Sequence, residues 1–316
     1  MTRAVLALAV LLAAPGAARA DFLSSETCRA SWELLQAVLP AGTGSLKAHS
    51  QVWMRAGFCS VDGVEITPDG QYQPGFRIAK VSWRANGLQA FLAAGTPPQS
   101  LDLKIEDLRM SVKTGNGVMD YLMRVQNDRT GIDADLSVHW EADRKRLVLD
   151  RLDVDFPGAN AISATASVVR VDLTSQSAAQ VSLGAMGLTD ISVEVTSNEL
   201  FEGYVLMPLG TVILGEATDP EVALKSFLAE AKAFVGMLPD ATFPDPTKKA
   251  IRALLDEMPN PAGTFGLTLR APGGIGSARF ARYAVIDLPK PADTMAALFG
   301  GVTVTASYLP TPEGAD

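Results

Sequence analysis

This chain of 316 residues contains two cysteines and two histidines. Cys28, Cys59, His49 and His139 are too few and too scattered in sequence to form a metal-ligand cluster, so no metal or cofactor is expected. Both histidines fall in strand-like contexts and read as ordinary surface or hydrogen-bonded residues, since a general base needs partners at defined geometry. No Gly-x-Ser-x-Gly elbow and no His-Glu-x-x-His helix occurs. Gly273-Gly274-Ile275-Gly276 lacks the third glycine of a dinucleotide fingerprint and the lysine of a phosphate loop, and reads as a plain turn. The chain is therefore expected not to be an enzyme. Basic residues are outnumbered 27 to 35, giving a formal charge of -8. That balance argues against a nucleic-acid partner and supplies no general attraction to anionic lipid. Aromatics are 7%, which leaves little for a flat ring-binding site. No apolar run is long enough to span a bilayer, so no transmembrane span is expected in the mature chain.

What is present begins with an export signal. Arg3 supplies the positive end, Ala4 to Ala14 the apolar run, and Ala18-Arg19-Ala20 the small-x-small cleavage pattern. Cleavage after Ala20 starts the mature chain at Asp21, and the short, alanine-rich signal points to a bacterial periplasm. Residues 1–20 are thus read as signal peptide and 21–316 as a single elongated β-rich domain. An oxidising compartment makes Cys28–Cys59 a disulfide, closing a loop of about 30 residues and contributing about 3–4 kcal/mol; two free buried thiols are the alternative.

The dominant pattern is alternation of period two. It runs through Leu101, Leu103, Ile105, then Leu108, Met110, Val112, then Leu136, Val138, Trp140, then Leu147, Leu149, Leu152, Val154, Phe156. Thr114-Gly115-Asn116-Gly117 reads as a tight hairpin joining the strand that ends at Val112 to one over Met119–Val125. Glu141 to Arg146 and Pro157-Gly158 are further turns, and Ala161 to Leu173 another strand. Segments starting at Asp107, Arg151 and Asp190 echo one another, as a two-strand repeat of about 40 residues or as chance alternation. Helices are expected over Glu26–Leu39, Leu88–Ala94, Ala292–Phe299, and in a hairpin within about 219–258. Asp219-Pro220 and Asp245-Pro246 start the hairpin helices, with aspartate as N-cap and proline next. Pro68-Asp69-Gly70 is a turn, and strands return over Phe265–Leu269, Ala284–Leu288 and Val302–Tyr308. The expected fold is α+β, mostly β: a long curved antiparallel sheet carrying an N-terminal helix and a helix hairpin from the C-terminal half.

Asp150, Asp153 and Asp155 sit close in sequence to Asp133 and Asp135, but Asp153 and Asp155 alternate with Leu152, Val154 and Phe156 and so line the wet face of a strand rather than a calcium site; Asp143-Arg144-Lys145-Arg146 is a solvated hairpin tip. The greasy face is either sealed by the helices or left partly open as an aliphatic groove. The candidate groove residues are Leu103, Leu136, Val138, Leu152, Val154, Leu224, Phe227 and Phe234. Two partner classes follow: a lipid or other apolar ligand in that groove, or an envelope protein bound through an edge strand or the helix hairpin. A hydrolase would require a pocket that gathers His139 or His49 with a carboxylate and a serine.

Three stretches carry a family likeness. They are Leu147 to Leu173 (Leu-x-Leu-x-x-Leu-x-Val-x-Phe-Pro-Gly, then Ala-x-Ala-x-Val-x-x-Val-x-Leu), Leu188-x-x-Ile191-x-Val193-x-Val195, and Asn260-Pro-Ala-Gly-x-Phe-x-Leu-x-Leu-x-Ala-Pro. Together they resemble AsmA-like and related domain-of-unknown-function (2125-type) proteins of Gram-negative, especially alphaproteobacterial, envelopes. The resemblance covers roughly residues 100 to 290 and is one of texture. It implies an elongated curved sheet in the periplasm with a role in lipid handling or outer-membrane maintenance. Those relatives are often anchored by an N-terminal membrane helix, whereas this first segment reads as cleavable. No catalytic residue carries over.

Overall fold

The computed structural model describes residues 23–38, 45–67, 74–112, 114–128, 131–206, 218–276 and 296–311, with isolated positions at 210, 215 and 279. The signal segment, the Pro68-Asp69-Gly70 turn and the Ala284–Leu288 strand lie outside the described residues. The fold is mostly β, with antiparallel strands and helices packed on them. Within each unit, apart from one short side branch, strands that are neighbours in chain order are neighbours in the sheet. The chain divides into two compact units, Met1–Pro157 with Arg170–Leu183, and Gly158–Val169 with Gly184–Asp316.

The first unit contains α1 (Ser25–Val38), β1 (Ser45–Ala48), β2 (Trp53–Arg55), β3 (Phe58–Thr67), β4 (Pro74–Asn86), α2 (Leu88–Ala94), β5 (Ser100–Val112), α3 (Gly117–Asn127), β6 (Ile132–Glu141) and β7 (Arg146–Phe156). A two-turn helix α4 (Gln176–Ser182) belongs to its second segment. The Ser24 hydroxyl accepts the Thr27 amide at 3.0 Å and starts α1. The Cys28–Cys59 disulfide then ties α1 to β3, with both cysteines fully buried. Trp32 packs on Val61, Val64, Ile78 and Val81, and stacks on Trp83 at 6.0 Å between ring centroids. Trp83 Nε1 donates to Ser31 Oγ at 3.0 Å. The helix is thereby fixed over β3 and β4.

Two phase breaks in the alternation have a structural cause. Ile105 and Leu108 are three residues apart, yet both pack against the core under α1. Between them the β5–β6 register shifts, and Asp107 takes φ 56° while its amide donates to Asp133 Oδ1 at 2.7 Å. Leu149 and Leu152 show the same break. Val138 pairs with Leu149 and Ser137 with Arg151, so Asp150 is the extra residue of a bulge. Each bulge restores the apolar phase, so one face stays greasy along the whole strand.

The second unit contains β8 (Asn160–Val169), β9 (Gly187–Ser197), α5 (Pro220–Met237), α6 (Asp245–Asp256), β10 (Gly263–Ile275) and β11 (Thr303–Pro310), with β8–β9–β10–β11 paired in that order. Its core is Ala271, Ile275, Val302 and Val304, joined by Leu188, Phe243, Leu267 and Leu269. The hairpin helix α6 packs on β11. Thr247 is fully buried there; its hydroxyl donates to the Val304 carbonyl at 3.1 Å and accepts the Ala306 amide at 3.3 Å. The other face of this sheet is a polar ladder, with Thr196 opposite Thr264 and Ser192 opposite Thr268. The three echoing segments fall on β5, β7 and β9, which are alternate strands in chain order.

Four expectations are corrected. Thr114–Gly117 does not make a hairpin, and Met119–Val125 is not a strand: the segment is helix α3. The Asn116 side chain accepts the Val118 and Met119 amides at 3.0 and 3.2 Å, so it acts as an N-cap rather than a turn residue. β5 pairs instead with β6. We expect Asn116→Ala to lower stability by about 1 kcal/mol, read as a shifted urea midpoint with loss of α3 amide protection; an unchanged midpoint would show that the cap is idle. Asp245 is the first helical residue of α6, not its cap, because Pro244 holds the extended cap position. The strand expected over Ala161–Leu173 ends at Val169, where Arg170 takes φ 61°. Gly273-Gly274-Ile275 is not a free turn but the irregular end of β10, where the register with β9 shifts between Arg270 and Ile275.

Candidate functional site

Residues opposite one another in an antiparallel sheet share a face. In the first unit, Cys59, Trp83, Leu103, Leu136 and Leu152 form one rank across β3 to β7. Val61, Val81, Ile105, Ala134 and Val154 form the next, and Leu101, Val138 and Leu149 another. These ranks make an aliphatic strip. At β3 and β4 it is sealed by α1, Trp32 and the disulfide. On β6 and β7 the same ranks are only half-buried, and among the described residues no helix makes extensive contact with either strand.

The opposite face is charged. Arg84 pairs with Asp102 at 2.7 Å, Ser137 Oγ donates to Asp102 at 2.8 Å, and Lys104 pairs with Asp135 at 3.2 Å. Asp153 lies near Arg151, and His139 Nδ1 donates to Asp150 Oδ2 at 2.6 Å. His139 Nε2 lies 3.6 Å from Glu141, which Arg146 holds in a two-point ion pair. His49 lies 3.6 Å from Glu65. Asp102, Asp135 and Asp153 thus face cations, Asp150 faces His139, and Asp133 accepts the Asp107 amide. Among the described residues no group of three or more His, Cys, Asp and Glu is placed to hold a metal ion.

One end of the strip is closed. Trp140 is buried, and its Nε1 donates to the Val171 carbonyl at 3.0 Å. Val171 N returns a bond to the Lys145 carbonyl at 2.9 Å. Lys145 at the β6–β7 tip also binds Asp172 at 2.7 Å. The Lys145 ammonium, then the Thr174 hydroxyl and amide, hold the Asp172 carboxyl down to about 2, from an ordinary 3.8. A depressed carboxylate contributes stability above its unfolded pKa and loses it as pH falls through the folded one. The clip is therefore expected to hold at neutral pH and to weaken as pH drops from about 4 toward 2. An NMR titration of the Asp172 side chain should give a midpoint near 2; a midpoint at the unperturbed value would remove the clip from the account.

Five of the eight expected groove residues, Leu103, Leu136, Val138, Leu152 and Val154, lie together on this strip. Leu224, Phe227 and Phe234 lie on α5 in the second unit, Leu224 and Phe234 half-buried and Phe227 exposed. Leu149 and Ala134 belong to the strip and were legible in the same alternation. A separate cavity of about 200 Å³ lies between α3 and the ends of β3 to β5, lined by Glu65, Phe76, Arg77, Asp120, Met123 and Arg124 among others. It is below the size of an ordinary small-molecule site, and four of its ten lining residues are charged, so the strip is the stronger candidate for an apolar ligand.

No protein-family model matches the chain. No curated protein matches it either.

Proposed function

We propose that this is a non-enzymatic periplasmic protein that binds a lipid or another apolar ligand along the strip of its first unit, in the service of cell-envelope maintenance. The observation that carries the reading is the half-buried aliphatic surface of Leu136, Val138, Leu149, Leu152 and Val154, set beside a sealed region built from the same ranks. Strands lie about 4.8 Å apart, so the bare strands offer a track as wide as an acyl chain. Aliphatic side chains without a convergent polar group suit a tail better than a headgroup. The disulfide fits an oxidising compartment, and no described helix is long and apolar enough to cross a membrane. The export signal and the resemblance to envelope proteins point the same way.

Titration with a fluorescent fatty-acid analogue tests this reading. Saturable binding that dodecyl-chain lipids compete away is expected; a signal that never saturates, or none, would end it. A second reading, an interaction module working through the helix hairpin, is favoured by one observation: Val222, Phe227 and Met237 are exposed on α5. A crosslinker at Val222 that traps an envelope protein while the strip binds no probe would favour it.

A further inference from the structure

Helix α3 is amphipathic with its apolar side outward. Asp120 accepts from the Thr114 amide and hydroxyl, Asn127 donates to the Met110 carbonyl, and Met123 and Arg124 line the cavity over β3 to β5. Those residues face the charged side of the sheet, where Arg77 and Arg109 meet Asp128 just beyond the helix. The helix therefore docks by its polar side. Val118, Met119, Tyr121, Leu122 and Val125 are left 48–70% exposed. An exposed leucine is ordinary, but five large apolar side chains on one three-turn helix make a patch that marks an interaction site.

We propose that this face is covered by α3 of a second copy of the chain, related by a twofold axis. Val118, Tyr121, Leu122 and Val125 stand at i, i+3, i+4 and i+7, the spacing by which one helix inserts side chains between those of another. A twofold sets the helices antiparallel, with Val118 against Val125 of the other copy and Leu122 near the axis. None of the five is charged, so the face complements itself. Two such patches bury on the order of 1,000 Å², the lower bound of a specific interface. A bilayer fits less well. The helix has no outward cationic stripe, its arginine stacks over Tyr121 at 5.4 Å, and the chain carries -8.

The test uses the full exported chain. Sedimentation equilibrium at tens of micromolar should show a dimer for the wild type and a monomer for Leu122→Glu, with the far-UV circular dichroism spectrum unchanged because the side chain is exposed within one copy. Both native cysteines are in the disulfide, so Leu122→Cys adds a single thiol. It should yield a disulfide-linked dimer on mild oxidation, whereas Val181→Cys, exposed elsewhere, should not. A wild-type monomer at these concentrations would overturn the proposal, as would a dimer that survives Leu122→Glu. So would a monomer that cosediments with phosphatidylglycerol–phosphatidylcholine vesicles and loses that binding with Leu122→Glu.

Discussion

Replacing both Cys28 and Cys59 with serine is expected to lower the unfolding free energy of the first unit by about 3–4 kcal/mol. The bridge closes a loop with a sequence separation of 31, so its removal frees a long segment in the unfolded chain. It also removes the covalent tie that holds α1, and Trp32 with it, over Val61, Val64, Ile78 and Val81. Trp32, Trp53, Trp83 and Trp140 are the four tryptophans of the chain, and all lie in the first unit. Tryptophan fluorescence in urea therefore reports that unit alone. A loss below about 1 kcal/mol would mean that the packing of α1 holds without the bridge.

Glutamate at Leu136 and Leu152 is expected to lower apolar-ligand affinity at least tenfold singly and about a hundredfold together, corresponding to about 1.4 and 2.7 kcal/mol. The two residues face each other in register on β6 and β7. A carboxylate there must be desolvated beneath an acyl chain, with no cation of β6 or β7 among the described residues on that face to receive it. Both positions are half-buried, and the bare sheet lets the new charge reach water when no ligand is bound. Stability should change far less than affinity. Glutamate at Val193, on β9 of the second unit, serves as the control and should leave the affinity unchanged. Equal losses at all three positions would show that the ligand has no preference for the strip.

Much of this fold is written in alternation. The strands over Leu101–Val112, Leu136–Trp140 and Leu147–Phe156 follow the apolar phase because one face is buried and a one-residue slip would invert it. The spacings Ile105-x-x-Leu108 and Leu149-x-x-Leu152 even announce the two bulges, since only an extra residue brings both members of each pair to one face. Asp219-Pro220 was equally plain: Asp219 accepts the Val222 amide and Pro220 opens α5. Asn116-Gly117 misled because asparagine serves turns and N-caps by the same side-chain bond. The choice fell to α3 because its polar side, Asp120 and Asn127, has partners on and beside β5. That tertiary preference is invisible in a single sequence, and so was the outward turn of Val118, Tyr121, Leu122 and Val125. The strip was legible as a greasy face, but not where its cover stops. That boundary is set by the reach of α1, whose buried anchor, Trp32, packs against β3 and β4.

The decisive measurement is native mass spectrometry of the chain isolated from a bacterial periplasm, the compartment proposed for it. A bound species of lipid mass is expected, released by organic solvent and absent from the Leu136→Glu, Leu152→Glu double variant. A bare wild-type chain that also refuses added fatty acid would contradict it.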